Sequence, residues 1–262
     1  MTAPLFGVIT AMGRPEYDLL ELAADSLSGL ACVRRGARQG VEWFVVLDGM
    51  ERSVDDHTLR VRSIARAADV AVTVLSNPGP PGPGPARNTG LAHVNAPWLI
   101  TLDSDDTIAA EGMCALLQAV ESTPAAAWAA GRAPHTDREG RRTWNGPPDY
   151  FAPGPIEVTH SFWEAKLRLG GLPFLCTATL AHTEAVRAVG GWPGDRRRRA
   201  EDTCLWAVLT SRFRGVWVPE EVYLYRRHAQ SVTHQPGFRQ TDERLADISA
   251  MVAAGTTNPV PG

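Results

Sequence analysis

The chain reads as an α/β protein with a mostly parallel central sheet and helices on both faces. Three observations predict this. Short apolar runs alternate with stretches of helical periodicity through the first hundred residues, the rhythm of βαβ units. Val45-Val46-Leu47 and Trp98-Leu99-Ile100-Thr101-Leu102 are compact apolar runs, as in strands buried on both faces. Both stop at acids, Asp48 and Asp103, at the strand ends where open α/β sheets bind ligands.

The elements follow in order. Leu5 to Thr10 predicts a strand, Tyr17 to Leu30 a helix, Val41 to Leu47 a strand, and Thr58 to Ala67 a helix. Val70 to Leu75 predicts a third strand. A stiff loop rich in proline and glycine, Asn77 to Pro85, precedes a helix over Ala86 to Val94 and the Trp98 strand. Right-handed crossovers are expected throughout. After a helix at Glu111 to Val120 the rhythm changes. Ala125 to Arg132 suits a strand, and the polar stretch from Arg132 to Pro155 is expected to be a surface excursion without regular structure. Helical pieces are predicted at Glu164 to Leu169, Thr183 to Val189 and Glu201 to Arg212, and a strand pair over Val216 to Arg226. Thr256 to Gly262 is expected to fray.

At 262 residues the chain is long enough for one large domain or two small ones. A net charge of −3 and a pI near 6.2 argue against a nucleic-acid binder. Lys166 is the only lysine. Cys32, Cys114, Cys176 and Cys204 form no Cys-x-x-Cys pair, so neither a zinc site nor a disulfide framework is expected and buried free thiols are the default. Met1 to Gly7 has no signal-peptide pattern, and no run approaches membrane-spanning length. The expectation is a soluble, cytoplasmic protein.

Chemistry concentrates in a few places. Asp103 and Asp105 lie two apart, so on an extended chain they point to one side. Such paired hard oxygens suit Mn²⁺ or Mg²⁺ carrying a substrate diphosphate. The competing reading is a turn rich in acids that caps the next helix, with Asp106 as the capping or loop-orienting member. Pro85-Ala86-Arg87-Asn88-Thr89-Gly90-Leu91 follows the glycine-rich loop, and Gly190-Gly191-Trp192-Pro193 precedes Glu201-Asp202. That acid pair also suits the first turn of a helix. Arg196 to Arg199 are four consecutive arginines, read as a solvated loop or as one that folds over a diphosphate. Tyr225-Arg226-Arg227-His228 comes late in the chain.

In this order and spacing, Asp48, Ala86 to Leu91, Asp103-x-Asp105, Glu201-Asp202 and His228 resemble the family 2 inverting glycosyltransferases of GT-A fold. The resemblance runs from about Leu5 to Thr233. It implies a nucleotide-sugar-binding half at 1–124 and an acceptor-binding, catalytic-base half of the same domain at 125–240, then a C-terminal helix and tail at 241–262. Thr10 and Asp48 would contact the nucleotide base, usually uracil, and Arg87 would sit near the base or diphosphate. Asp103 would bind the ribose hydroxyls, and Asp105, with His228 as a further ligand, would hold the metal. Asp202 would be the general base that deprotonates the acceptor hydroxyl. Glu201 and Trp192 would lie on the acceptor side, Trp192 at the mouth, with core packing the equal alternative for Trp192. The implied partners are a nucleoside-diphosphate sugar, UDP-linked by preference, and a small-molecule, lipid-linked or glycan acceptor.

Where that family often ends its second strand in two acids, Leu47 precedes Asp48 here, and the loop before Arg87 is rich in proline, which lacks N–H donors. The Gln-x-x-Arg-Trp motif of processive synthases is absent, which favours single sugar transfer. Two alternatives are weaker. A sugar nucleotidyltransferase would carry a lysine after the first strand, where Ala11 to Pro15 has none. A non-catalytic nucleotide-sugar-binding protein has no need of both Asp105 and Asp202. Trp144, Tyr150, Phe151 and Trp163 are the aromatic candidates for an acceptor surface. Oligomeric state is not legible.

Overall fold

The computed structural model describes residues 4–30, 33–34, 37–38, 40–50, 54–145, 156–158, 161, 174–194, 201–229 and 241–258. The first half runs β1 (Pro4–Met12), α1 (Tyr17–Ser28), β2 (Val33–Arg34), β3 (Ala37–Arg38), β4 (Gly40–Leu47), α2 (Val54–Ala67), β5 (Val72–Ser76), α3 (Pro83–Leu91), β6 (Trp98–Thr101), β7 (Thr107–Ile108) and α4 (Ala110–Ser122). The second half runs β8 (Ala126–Arg132), β9 (His135–Thr136), β10 (Arg142–Trp144), β11 (Ile156–Val158), β12 (Thr179–His182), α5 (Thr183–Ala188), α6 (Glu201–Arg212), β13 (Arg214–Glu221), β14 (Tyr223–Arg226) and α7 (Thr241–Ala254).

Among the described residues the main sheet has eight strands in the order β11-β13-β8-β12-β6-β1-β4-β5. β5, β4, β1 and β6 are mutually parallel. β12 is antiparallel to both β6 and β8, β13 is parallel to β8, and β11 is antiparallel to β13. Only β12 and β11 therefore oppose the common direction, as the apolar runs predicted. From β1 the chain steps outward to β4 and β5, then returns to β6 on the other side of β1. That reversal is a topological switch point, and ligands bind beyond the carboxyl ends of the strands that flank one.

Alternation along the strands divides the core between the two faces. Val45 and Leu47 pack with Leu20, Ala24, Ile64, Met113 and Leu116 under α1, α2 and α4. Phe44 and Val46 pack with Ala86, Leu91, Val186, Leu205 and Met251 under α3, α5, α6 and α7. Residues Thr203 to Thr210 of α6 are all buried. A helix apolar all round belongs inside the molecule, and this one carries Glu201 and Asp202 at its first turn into the interior.

Several expectations change. α3 starts at Pro83, inside the stretch expected to be loop, because proline at a first helical position has its φ already set and lacks only an N–H that would be unpaired anyway. The excursion after Arg132 contains a hairpin, β9 with β10, in a four-stranded sheet of order β10-β9-β14-β7. β13 and β14 do not pair with each other. β13 joins the main sheet and β14 the small one. Thr257 is buried, and its hydroxyl hydrogen-bonds to the carbonyls of Val189 and Gly191, so residues 256–258 are held and not frayed. Cys176 and Cys204 are free buried thiols as expected. Cys114 is disulfide-bonded, which corrects the expectation for that residue. Cys32, the helical piece at Glu164 to Leu169, the arginines 196–199, and Tyr150, Phe151 and Trp163 lie outside the described residues. No helix among the described residues is long and apolar enough to cross a membrane.

Candidate active site at the switch point

The acidic turn follows β6. Leu102 still donates its N–H to the Ile9 carbonyl, and then Asp106 N–H closes a turn on the Asp103 carbonyl at 3.2 Å. Asp103 and Asp105 thus sit on a turn and not on an extended chain, and their carboxylates go separate ways. Asp103 meets Arg87, while Asp105 Oδ2 lies 2.9 Å from His228 Nε2. Asp106 is buried, and its Oδ1 accepts the Arg226 backbone N–H at 2.6 Å. The N-cap of α4 is Ala109, without a side-chain cap bond. Asp106 is therefore the residue that orients the loop. Burial, then the charges of Asp105 and Asp103, push its carboxyl well above the ordinary range. Burial and the Asp103 charge also raise Asp105, with His228 opposing.

Among the described residues no group of three or more His, Cys, Asp or Glu side chains is arranged around a common metal position. Asp105 and His228 nevertheless converge as one carboxylate and one imidazole, with side chains 28% and 6% exposed. Mg²⁺-type ions usually take few protein ligands and complete their shell with water and substrate phosphate oxygens. The pair fits a metal of that kind.

The second half of the site gathers around Arg87. Its guanidinium lies 2.9 Å from Asp103 Oδ1, Glu201 Oε1 and Asp202 Oδ1, with 5% of the side chain exposed. Burial alone would lower its pKa, but the three carboxylates outweigh that and raise it. Its two Nη atoms are directed to these acids, so it is a hub linking the β6 turn to α6. Asp202 experiences the opposite balance. Burial, with Glu201 and Asp103 adding repulsion against the pull of Arg87, moves its carboxyl up to about 7. It keeps 24% of its side chain exposed. A carboxylate poised near neutrality and reachable from outside is suited to taking a proton.

Trp192 is 2% exposed, packed in the core, one of its two expected places. Its indole Nε1–H donates to Asp202 Oδ1 at 2.8 Å, and its ring lies 6.0 Å from the Arg87 guanidinium. The Asn88 side chain brackets it, with Nδ2–H donating to Trp192 O at 2.7 Å and Oδ1 accepting from Trp192 N–H at 2.9 Å. Gly191 has a φ of +68°, and a Cβ there would lie 2.4 Å from Asn88 Oδ1. The turn therefore needs glycine.

Asp48 stands just past β4, at the edge of the same crevice. Its Oδ1 accepts from Asn77 Nδ2 at 2.7 Å and its Oδ2 from Gly82 N–H at 2.8 Å, so it also ties down the proline-rich loop. Thr10 lies within β1, not at its end. Its side chain is fully buried and its hydroxyl accepts the Trp43 Nε1–H at 2.9 Å.

Two residues of the site were not foreseen. The Tyr223 hydroxyl accepts the Asp103 backbone N–H at 3.1 Å. The buried Arg226 donates from Nε to the Asp105 carbonyl at 2.8 Å and from Nη1 to the carbonyls of Asp137 and Arg138. Its place two residues before His228 was the available signal. Nothing in the sequence linked Tyr223 to a turn 120 residues earlier.

Comparison with known proteins agrees with this architecture. The family model described as "Glycosyl transferase family 2" matches residues 29–178, more than half of the chain. No curated protein matches. Among solved structures, residues 1–349 of S. aureus TarS in complex with UDP-GlcNAc superpose with a TM-score of 0.68 at 16% identity, covering 95% of this chain and 66% of that one. The complex of the same TarS fragment with UDP gives a TM-score of 0.65 at 16% identity, with 95% and 64% covered. The mannosyltransferase PcManGT from Pyrobaculum calidifontis, in complex with GDP-Man and Mn²⁺, gives 0.60 at 18% identity, with 97% and 64% covered. The chain thus spans slightly less than two thirds of the length of these three solved chains, and 42% of a longer TarS chain.

Proposed function

The chain belongs to glycosyl transferase family 2, and from that premise we propose that it transfers one sugar from a nucleoside-diphosphate sugar to an acceptor hydroxyl with inversion, Asp202 acting as base. The observation that carries this reading is the convergence, through Arg87, of a turn at the sheet's switch point with an accessible carboxylate raised to about 7. In the reaction the acceptor O–H proton passes to Asp202 as the acceptor oxygen bonds to the anomeric carbon. The bond from that carbon to the diphosphate oxygen breaks, and its electron pair leaves with the nucleoside diphosphate. Attack from the face opposite the leaving group inverts the anomeric centre, as in inverting glycoside hydrolysis.

Asp105 and His228 are the residues to hold Mn²⁺ or Mg²⁺, which when bound neutralises charge on the diphosphate. In this reading Asp103 takes ribose hydroxyls, and Asp48 a base N–H in exchange for one of its loop bonds. The UDP-GlcNAc, UDP and GDP-Man seen in the solved relatives support this donor class, and a UDP-sugar is the first choice. A cytoplasmic setting suits that donor.

The test is donor hydrolysis with Mn²⁺, water serving as acceptor, followed by proton NMR. The expected result is nucleoside diphosphate and, as the first-formed free sugar, the anomer opposite to the donor's. Retention of configuration, or pyrophosphate release from a nucleoside triphosphate and a sugar 1-phosphate instead, would overturn the reading.

A further inference from the structure

Resting on the reading of Asp202 as the base, we infer that Trp192 is its positioning residue: the indole N–H holds Asp202 Oδ1 so that Oδ2 faces the acceptor hydroxyl. The geometry separates the two oxygens. Oδ1 receives Trp192 Nε1–H at 2.8 Å and Arg87 Nη1–H at 2.9 Å. Among the described residues no donor reaches Oδ2, while the side chain as a whole is 24% exposed. Two donors on one oxygen fix the plane of a carboxylate that a single contact would leave free to rotate about its last torsion, which is a broad one. The carboxylate then keeps the lone pairs of Oδ2 for a proton from outside.

The turn that carries the indole is held by three side chains. Asn88 brackets its backbone from α3. Asn258 Nδ2 donates to Gly190 O at 2.8 Å, and the Thr257 hydroxyl donates to Gly191 O at 2.8 Å, so residues beyond α7 strap the same turn. Buried side chains held by packing and supporting hydrogen bonds are what hold a reacting group in place. Trp192 thus acts through Asp202 and does not touch the acceptor. Among the described residues, the charged and titratable groups facing Asp202 are Arg87 from α3, Glu201 from α6, Asp103 from the β6 turn and the Cys176 thiol before β12. Of these only Arg87 opposes the repulsion, and the indole N–H is the one neutral donor among the described residues that stabilises the ionised form.

The experiment begins on the unmodified chain. The Trp192 indole ¹⁵N–¹H resonance, assigned by its loss in Trp192→Phe, is followed against pH beside the ¹³Cγ signal of Asp202, assigned by its loss in Asp202→Asn. The indole is expected to titrate with the midpoint of that carboxyl and to stop doing so in Asp202→Asn. In Trp192→Phe, which keeps an aromatic ring and removes the N–H, hydrolysis of UDP-GlcNAc or GDP-mannose with Mn²⁺ is the probe. Its acid limb is expected to rise by about one pH unit and kcat to fall about 10-fold, with donor KM unchanged. An indole that does not follow Asp202, or an acid limb identical to that of the parent, overturns the inference. Where neither donor is hydrolysed, the indole titration alone decides it. Hydrolysis retained by Asp202→Asn would overturn the base reading instead, and is told apart because the indole titration is read in the unmodified chain.

Discussion

Asp202 sets the pH behaviour of the molecule twice. As a base it must be ionised, so transfer should rise with pH through about 7 and level off above it. The linked effect on stability has the opposite sign. Its folded-state value lies above that of an unfolded Asp, about 3.9, so the native chain binds more protons between those values and its contribution to stability falls as pH rises from about 4 to about 7. Asp202→Asn removes both effects. Transfer or donor hydrolysis should fall about 10²- to 10⁴-fold. Urea unfolding at pH 8 should show the variant more stable than the parent by about 1–2 kcal/mol, with the difference shrinking towards pH 4. Arg87 is the counterweight. Arg87→Ala leaves three acids gathered without their cation, and removing one partner of a buried ion pair typically costs about 3–5 kcal/mol. A large loss of urea stability is expected there, smaller at low pH where the acids are protonated.

At the scale of elements, the turn between α5 and α6 joins the two halves of the site. Gly191→Ala should cost about 1–3 kcal/mol, because an L residue at φ +68° is strained and its Cβ meets the Asn88 amide. Donor hydrolysis should fall with it as Trp192 shifts. Gly194→Ala in the same turn is the control. A Cβ there finds its nearest neighbour among the described residues, Asn258 Oδ1, at 3.9 Å, so stability and turnover should stay near those of the parent. The strands and helices of the first half were legible because their apolar runs have the right lengths and periods. The start of α3 was not, since Gly82-Pro83-Gly84-Pro85 looks like a loop until the helix-start role of proline is weighed. The β9–β10 hairpin was hidden by polar residues, and its neighbour β14 comes from the far end of the chain. β13 and β14 were read as partners because they adjoin in sequence, whereas each pairs with strands about 60 to 120 residues earlier.

Across the whole molecule, what the sequence allowed was the set of chemical residues, and what it withheld was their mutual orientation. Asp103, Asp105, Glu201, Asp202, Arg87 and His228 were all legible from strand ends and motif spacing, and the fold brings them together at the β1/β6 switch point. Thr10 and Trp192 are buried and Arg87 is paired to three acids. Strand register sets that for Thr10, and pairings across more than a hundred positions set it for Arg87 and Trp192, neither of which a local pattern contains. Residues 256–258, read as a loose end, serve as a strap because the Thr257 hydroxyl and Asn258 amide reach the carbonyls of a glycine-rich turn.

The central claim is that this crevice holds a nucleoside diphosphate through a metal on Asp105, with Asp202 waiting beside it. Thermal unfolding with UDP, TDP, GDP and CDP, each with and without Mn²⁺, addresses it most directly. A ligand at about a hundred times its Kd adds roughly 2.7 kcal/mol, a shift of about 5–10 °C for a chain near this size. The account predicts such a shift for one nucleotide, dependent on Mn²⁺, lost in Asp105→Ala and kept in Asp202→Asn. No metal-dependent shift with any of the four, or one undiminished in Asp105→Ala, would contradict it.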